Sequence, residues 1–164
     1  MVADVTGWIM QAHSDPEKPP PLAHEVVEGD RVPIALVEAR LEALGEEFDI
    51  DELAYDPWRF ARSAELLEPV FHEVVEYPQT NERMCPASQK IYDAIIEGRA
   101  HVDGHPALAA HIAAAVAADT ERGWRLKKLQ SREAQDFAIA LAVAWDRAEQ
   151  IAGVRAPSVE GVGR

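Results

Sequence analysis

The sequence predicts an α/β fold in which strands alternate with helices and form a mixed or parallel sheet flanked by those helices. Short strand-like runs bounded by proline or glycine occur at 53–56, 73–77 and 123–129. Between them, apolar residues recur at steps of three and four, the spacing that places them on one face of a helix. At 164 residues, the chain is long enough for one domain with a single buried core.

In the N-terminal half, Asp4 and Gly7 predict a turn within an extended segment or hairpin. Pro33 suits the first turn of a helix, whose apolar face continues to Phe48. Pro57 stops the strand that precedes it, because proline cannot continue a strand ladder. The predicted elements of this half are an extended segment at 1–13, a proline-rich loop at 14–21, a helix from 33, a strand at 53–56, a helix at 58–67 and a strand at 73–77.

In the C-terminal half, Gly98 predicts the end of one helix, and Ser131 can cap the start of the last one. Every residue from Phe137 to Trp145 is apolar, so this last helix is predicted to be buried on nearly all sides. The predicted elements are a polar loop at 78–84, a helix at 86–97, a turn at 101–106, an alanine-rich helix at 107–118, a strand at 123–129 and a helix to about 151. One domain is predicted over 1–152, followed by a disordered tail at 153–164.

The composition excludes several classes of protein. No apolar run approaches the roughly 20 residues that a membrane-spanning helix needs. The first 13 residues lack the basic start of a signal peptide. A single cysteine, Cys85, excludes an internal disulfide and fits a reducing compartment, so the predicted location is the cytoplasm.

The net charge of −13 is divided unevenly along the chain. Residues 1–78 hold 18 acidic and 5 basic side chains, whereas residues 79–164 hold 11 of each. Tight non-specific binding to DNA comes from many lysine and arginine contacts to phosphates. The isolated chain is therefore not predicted to bind DNA tightly, and a role on DNA would require another domain or subunit to deliver it.

Two aspartates are candidate metal ligands. Asp56 ends a predicted buried strand, and sites in α/β sheets form at the carboxyl ends of strands. The alternative is that Asp56 only starts a turn or caps the following helix. Asp136 lies in the first turn of the apolar last helix, where a buried carboxylate needs a partner such as a divalent metal. The alternative is an acid that stabilises the start of the helix.

A basic segment comes just before Asp136: residues 122–132 contain five basic side chains and no acid. Cationic groups beside a metal-binding carboxylate suit metal-dependent phosphodiester cleavage, because they hold phosphates while the carboxylate holds the metal. The candidate phosphate-binding residues are Arg125, Lys127, Lys128 and Arg132.

The other chemically capable residues are predicted to have structural roles. His101, His105 and His111 match no standard zinc spacing and are predicted to be surface or turn histidines. Cys85 is predicted to be a small buried side chain. The sequence contains no phosphate-binding glycine pattern. The tryptophans are predicted to be core or half-buried residues rather than a platform for stacking bases: Trp8, Trp58, Trp124 and Trp145.

Four ordered motifs carry a resemblance to a known family. They are Glu-Leu-Ala-Tyr-Asp-Pro-Trp from residue 52, Glu-Tyr-Pro-Gln-Thr-Asn-Glu-Arg-Met from 76, His-Val-Asp-Gly-His-Pro-Ala-Leu-Ala-Ala-His from 101, and Ser-Arg-Glu-Ala-Gln-Asp-Phe-Ala-Ile-Ala-Leu-Ala from 131. Over residues 1–150, the chain resembles the nuclease domain of tailed-phage (HK97-like) terminase large subunits.

The resemblance implies an RNase H-like mixed sheet flanked by helices that cuts concatemeric viral DNA during genome packaging. It implies a two-metal site for Mg²⁺ or Mn²⁺, with Asp56 as the second catalytic acid and Asp136 as the last. The implied partners are double-stranded DNA, the terminase ATPase domain, the small terminase subunit and the portal, with no membrane. The implied location is the cytoplasm of the host cell.

This chain departs from the family pattern in several ways. The family carries its first catalytic aspartate on a strand that precedes the region where this chain begins, so the predicted fold lacks the first strand. Asp4 is not assigned that role. Ala114 replaces a usual asparagine, and Gln135 replaces a usual isoleucine. The chain thus resembles a C-terminal fragment from a split or decayed prophage gene, or from a late start of the reading frame.

Three hypotheses remain open from the sequence. The first is a metal-dependent DNA endonuclease module, either active or formerly active. The second is a non-catalytic remnant or packaging partner that keeps the fold without nuclease activity. The third is an unrelated α/β binding domain.

Overall fold

The computed structural model describes residues 2–6, 24–28, 32–58, 60–100, 106–127 and 136–155. In chain order the described elements are β1 (Val2–Thr6), β2 (His24–Glu28), α1 (Ile34–Glu47), β3 (Leu53–Tyr55), α2 (Ala61–Leu67), β4 (Val74–Glu76), α3 (Asn81–Ile96), α4 (Pro106–Ala113), β5 (Val116–Thr120), β6 (Gly123–Lys127) and α5 (Asp136–Arg155). These strands and helices alternate strictly from β2 to α3.

The described strands form three pairs. β1 and β2 are antiparallel, β3 and β4 are parallel, and β5 and β6 are antiparallel. Parallel and antiparallel pairs together make the fold a mixed α/β fold, which confirms the predicted class. Helix α5 contacts β1, β3 and β6, so one apolar helix packs against a strand of every pair.

Two hydrophobic cores lie side by side in the domain. The first is formed mainly by α3 and α5, and the second by α1, α2 and β3. The first contains Tyr77, Met84, Ala87, Ile91, Phe137, Ile139, Leu141 and Ala142. The second contains Leu41, Leu44, Ile50, Leu53, Leu67 and Phe71. Between Phe137 and Trp145 every residue of α5 is buried or half-buried, which confirms the predicted burial of this helix.

Helix α3 begins five residues earlier than predicted. The sequence places the residues before Pro86 in a polar loop, but the helix begins at Asn81, and the Met84 amide already donates to the Thr80 carbonyl at 2.9 Å. Pro86 lies inside the helix and cannot donate to the Glu82 carbonyl, and both residues are on the exposed side of α3. The predicted end is confirmed: Gly98 has a φ of 69°, and the Arg99 amide closes the helix on the Ala94 carbonyl at 2.8 Å.

Three other expectations are wrong. The alanine-rich helix ends at Ala113, and residues 116–118 belong to β5, because antiparallel pairing with β6 outweighs the helix propensity of alanine. Helix α2 begins at Ala61 rather than 58. Asp4 does not lie in a turn: it is paired with Val26 in the middle of β1.

Several predicted features lie outside the described residues. These are the loop at 14–21, most of the turn at 101–106, the Ser131 cap and the tail from 156 onward. Helix α5 continues to Arg155, so residues 153–155 are helical rather than part of the predicted tail. Among the described helices, none is both long and apolar enough to cross a membrane.

Gly45, inside α1, should tolerate no larger side chain. A Cβ at this position would collide with Cγ1 of Val70 and lie 3.6 Å from Cε1 of Phe71. In an exposed helix, alanine is more favourable than glycine by about 1 kcal/mol. Here the added methyl group would clash with the stiff, branched side chain of Val70, and such overpacking costs about 1–3 kcal/mol. We therefore expect Gly45→Ala to lower the free energy of unfolding in urea. A stabilised variant would show that α1 and the 70–71 segment are further apart.

Candidate functional site

Asp56 stands at the carboxyl edge of the parallel pair. The Tyr77 amide donates to the Tyr55 carbonyl at 2.7 Å, which extends the pairing of β3 and β4 to the residue before Asp56. Asp56 is half-buried, and its Oδ1 accepts a hydrogen bond from the Trp58 amide at 3.0 Å. Asp56 therefore does start a turn, whichever of its two interpretations holds. That turn also fixes the carboxylate, so it is compatible with metal binding through the second oxygen.

Asp136 is the first residue of α5 and is half-buried. The next residue, Phe137, is fully buried in the first core. The start of a helix carries unpaired amides and a positive partial charge, which favours an ionised carboxylate there. Asp136 therefore lies at the boundary between the core and the surface, in a position that suits either of its two interpretations.

The elements that carry the two aspartates are joined by a partly buried ion pair. Arg147 of α5 donates two hydrogen bonds to the carboxylate of Glu52, which precedes β3: Nε to Oε1 at 2.7 Å and Nη2 to Oε2 at 2.5 Å. Two parallel bonds fix both the distance and the orientation of the partners. This pair holds α5 against β3, the strand that directly precedes Asp56.

Two of the four candidate phosphate-binding residues lie on described parts of the chain. Arg125 is half-buried and donates through Nη1 to the Gln79 carbonyl at 2.8 Å and to Oδ1 of Asn81 at 3.1 Å. It therefore attaches β6 to the start of α3, a structural role that sequence reasoning missed. Lys127 is exposed at the end of β6. Lys128 and Arg132 lie outside the described residues.

The two aspartates are the right type of ligand for a divalent metal, but two carboxylates are too few to complete a metal site. Carboxylate oxygens are the ligands that Mg²⁺ and Mn²⁺ prefer. Within the described ranges, no group of three or more histidine, cysteine, aspartate or glutamate side chains could hold a metal ion. A pair of catalytic metals would therefore need further oxygen ligands besides Asp56 and Asp136.

A buried polar network between α3 and α5 was missed by sequence reasoning. The Asp146 carboxylate accepts hydrogen bonds from Nζ of Lys90 at 2.5 Å, the hydroxyl of Tyr77 at 2.8 Å and Nε2 of Gln150 at 2.8 Å. Burial raises the pKa of Asp146, but the bonds from Lys90 and Tyr77 outweigh it and hold that pKa below its ordinary value. The hydrogen bond to Asp146 raises the pKa of Lys90. Burial raises the pKa of Tyr77.

Two predictions about single side chains are wrong. His111 is not a surface histidine: it is 6% exposed, and its Nδ1 accepts a hydrogen bond from the Phe137 amide at 3.2 Å. Trp58 is 78% exposed rather than core or half-buried, because the turn at Asp56 directs the chain away from β3 before α2 begins. The half-buried positions of Trp124 and Trp145 are confirmed, and so is the burial of Cys85. His101, His105 and Trp8 lie outside the described residues.

Comparison with known families assigns the class of protein. The family described as "Terminase large subunit, endonuclease domain" matches residues 22–151, which include both aspartates. The chain belongs to this family of terminase large-subunit endonuclease domains. No match was found among curated proteins.

A solved structure agrees with this assignment. The crystal structure of the HK97 bacteriophage large terminase matches with a TM-score of 0.65 and 23% sequence identity. The match covers 73% of this chain and 26% of that one, so the chain spans about a quarter of the HK97 protein. The fold is therefore the RNase H-like fold of a terminase nuclease domain, as the resemblance implied.

Proposed function

We propose that this chain is the metal-dependent endonuclease module of a phage or prophage terminase large subunit and cuts concatemeric DNA during genome packaging. The observation that carries the proposal is the family match over residues 22–151, which spans Asp56 and Asp136 in the positions the resemblance assigns to catalytic acids. Work on packaging DNA would place the protein in the cytoplasm of the host cell.

The two aspartates would meet at one edge of the parallel strand pair. Glu52 and Asp56 are four residues apart, about 13 Å along an extended strand. Arg147 and Asp136 are eleven residues apart, about 16 Å along a helix. Because Arg147 and Glu52 are bonded, an antiparallel course of α5 over β3 would bring the two aspartates to the same edge of the layer that this helix and strand form. These matched lengths support the proposal.

In the proposed site, Asp56 and Asp136 would hold a divalent metal. The Trp58 amide holds Oδ1 of Asp56, which would leave Oδ2 for the metal, and Asp136 stands at the start of α5. Bound Mg²⁺ or Mn²⁺ would activate the attacking water and stabilise the leaving oxygen of the phosphodiester. The remaining ligands would come from outside the described residues.

DNA would reach the site with help from other parts of the packaging machine. Lys127, Lys128 and Arg132 are proposed to contact phosphates beside Asp136, and Arg125 is proposed to add its charge while it anchors β6. The excess of acids in residues 1–78 repels DNA, so the chain alone would bind it weakly. The proposed partners are the terminase ATPase domain, the small terminase subunit and the portal.

A second candidate function is a non-catalytic remnant that keeps the fold and contacts packaging proteins. The observation that favours it is the small number of candidate ligands: in the ranges that the structure describes, no group of three metal-binding side chains exists. The two candidates differ in whether Asp56 and Asp136 bind metal at all.

Nicking of supercoiled plasmid by the purified chain tests the proposal. We expect slow Mn²⁺-dependent nicking at most, abolished by Asp56→Ala and by Asp136→Ala, since each removes a metal ligand. Asp119→Ala, which removes an exposed carboxylate on β5, should leave any nicking unchanged. Robust cleavage that survives Asp136→Ala would place the active site elsewhere. Absence of both nicking and metal binding would favour the remnant.

A further inference from the structure

His111 joins α4 to the first turn of α5 by two contacts. Its Nδ1 accepts a hydrogen bond from the Phe137 amide at 3.2 Å. Its ring also packs on the Phe137 ring, with 4.5 Å between centroids and 36° between planes. Because Nδ1 is the acceptor, it carries no proton, and the neutral ring carries its proton on Nε2. Both contacts lie in the buried part of the domain.

The hydrogen bond performs the task of a helix cap from a distant part of the chain. The first amides of a helix have no partner within the helix and are usually satisfied by a serine, threonine, asparagine or aspartate that immediately precedes it. Here the acceptor for the second amide of α5 comes from another helix, 26 residues earlier. A local cap fixes only the helix end, whereas this one also fixes the position of that end relative to α4.

Packing alone does not explain a histidine at this position. A buried polar side chain costs free energy unless it is hydrogen-bonded, and an apolar side chain would fill the space beside Phe137 without that cost. The property that histidine adds is an acceptor aimed at the Phe137 amide. That amide belongs to the residue directly after Asp136, so the peptide unit that His111 holds is the one that begins at the Asp136 carbonyl carbon.

We propose that His111 is a positioning residue for Asp136. By holding the first peptide unit of α5, it fixes the backbone from which the Asp136 carboxylate projects, so that the carboxylate meets a divalent cation in one orientation. This inference rests on the proposed function, because it assumes that Asp136 is a metal ligand. In this proposal His111 acts through the backbone of Asp136 and Phe137 and is not itself a metal ligand.

Two substitutions separate positioning from packing. His111→Leu removes the acceptor and fills much of the space, whereas His111→Asn keeps an acceptor oxygen close to the position of Nδ1 and loses the ring. Both variants should be less stable in urea. If His111 positions Asp136, His111→Leu should weaken Mn²⁺ binding about three- to tenfold, since residues that orient metal ligands directly contribute about 10–100-fold. His111→Asn should bind Mn²⁺ within about twofold of the unaltered chain.

Mn²⁺ titration followed by electron paramagnetic resonance provides the readout, because it detects binding without turnover. His72→Leu is the matched control: His72 is an exposed histidine that pairs with Asp49 at 2.7 Å, and its loss should not change Mn²⁺ affinity. Equal affinities in His111→Leu and His111→Asn, with Asp136→Asn weakened, would overturn the positioning role alone. If the chain binds no Mn²⁺, or if Asp136→Asn binds as tightly as the unaltered chain, the proposed function fails and the positioning role fails with it.

Discussion

Phe137→Ala should lower the free energy of unfolding by about 3–5 kcal/mol, the range for removing a large aromatic side chain from a packed core. Phe137 is 0% exposed and belongs to the core between α3 and α5. It also carries the ring contact with His111, so its loss leaves a cavity at the junction of α4 and α5. Because α5 packs on a strand of every pair, the surroundings can collapse only partly into that cavity.

Urea unfolding followed by circular dichroism measures this effect. Phe137→Leu keeps most of the apolar volume and should cost distinctly less than Phe137→Ala. Ile96→Ala is the surface control, because Ile96 is 68% exposed and its truncation should change stability by no more than about 0.5 kcal/mol. A loss well under 1 kcal/mol for Phe137→Ala would show that the start of α5 is peripheral.

The second large effect is expected at the buried network. Asp146→Ala should cost about 2–4 kcal/mol, because it removes the common acceptor of Lys90, Tyr77 and Gln150. The Tyr77 hydroxyl would stay buried with only a long 3.4 Å contact to the Arg83 carbonyl. Lys90 is partly exposed and can turn to water, which keeps the cost below that of a fully buried pair. Asp93→Ala, at a carboxylate whose hydrogen bond with Gln89 is exposed, should cost far less.

The network also gives stability a defined dependence on pH. The pKa of Asp146 is lower in the folded chain than in the unfolded one, so its contribution is present above the unfolded value and is lost as pH falls through the folded value. The pKa values of Lys90 and Tyr77 are raised, so their contributions are present below their ordinary values near 10 and are lost at higher pH. Asp146→Ala should remove part of the acid-side loss of stability. If Asp146→Ala and the unaltered chain lose the same free energy of unfolding on acidification, this account is contradicted.

The sequence predicted those elements whose starts and ends are set by residues close to them in the chain. Pro33 and the apolar spacing after it predicted α1, and Gly98 predicted the end of α3. The wrong predictions concern segments whose structure is set by pairing with another strand. Residues 116–118 form a strand because β6 pairs with them, and Asp4 lies in a strand because β2, some twenty residues later, pairs with β1. No local pattern encodes such pairings.

The candidate site divides in the same way. The positions of Asp56 and Asp136 at element ends follow from proline, from apolar runs and from the resemblance. The long-range contacts do not: His111 reaches Phe137, beside Asp136, across 26 residues, and further along α5 Tyr77 reaches Asp146 across 69. Nothing in the local sequence around His111 or Asp146 indicates that they bond to Phe137 and Tyr77. Their roles follow only from packing between helices.

The central claim is that Asp56 and Asp136 bind one metal ion together, and a double-mutant cycle of Mn²⁺ binding tests it most directly. Mn²⁺ affinity is measured for the unaltered chain, Asp56→Asn, Asp136→Asn and the double variant. Because two ligands of one ion act as a unit, we expect each single substitution to weaken binding at least about tenfold and the double variant to lose little more. Losses that simply add, or single variants that bind Mn²⁺ as well as the unaltered chain does, would contradict the shared site.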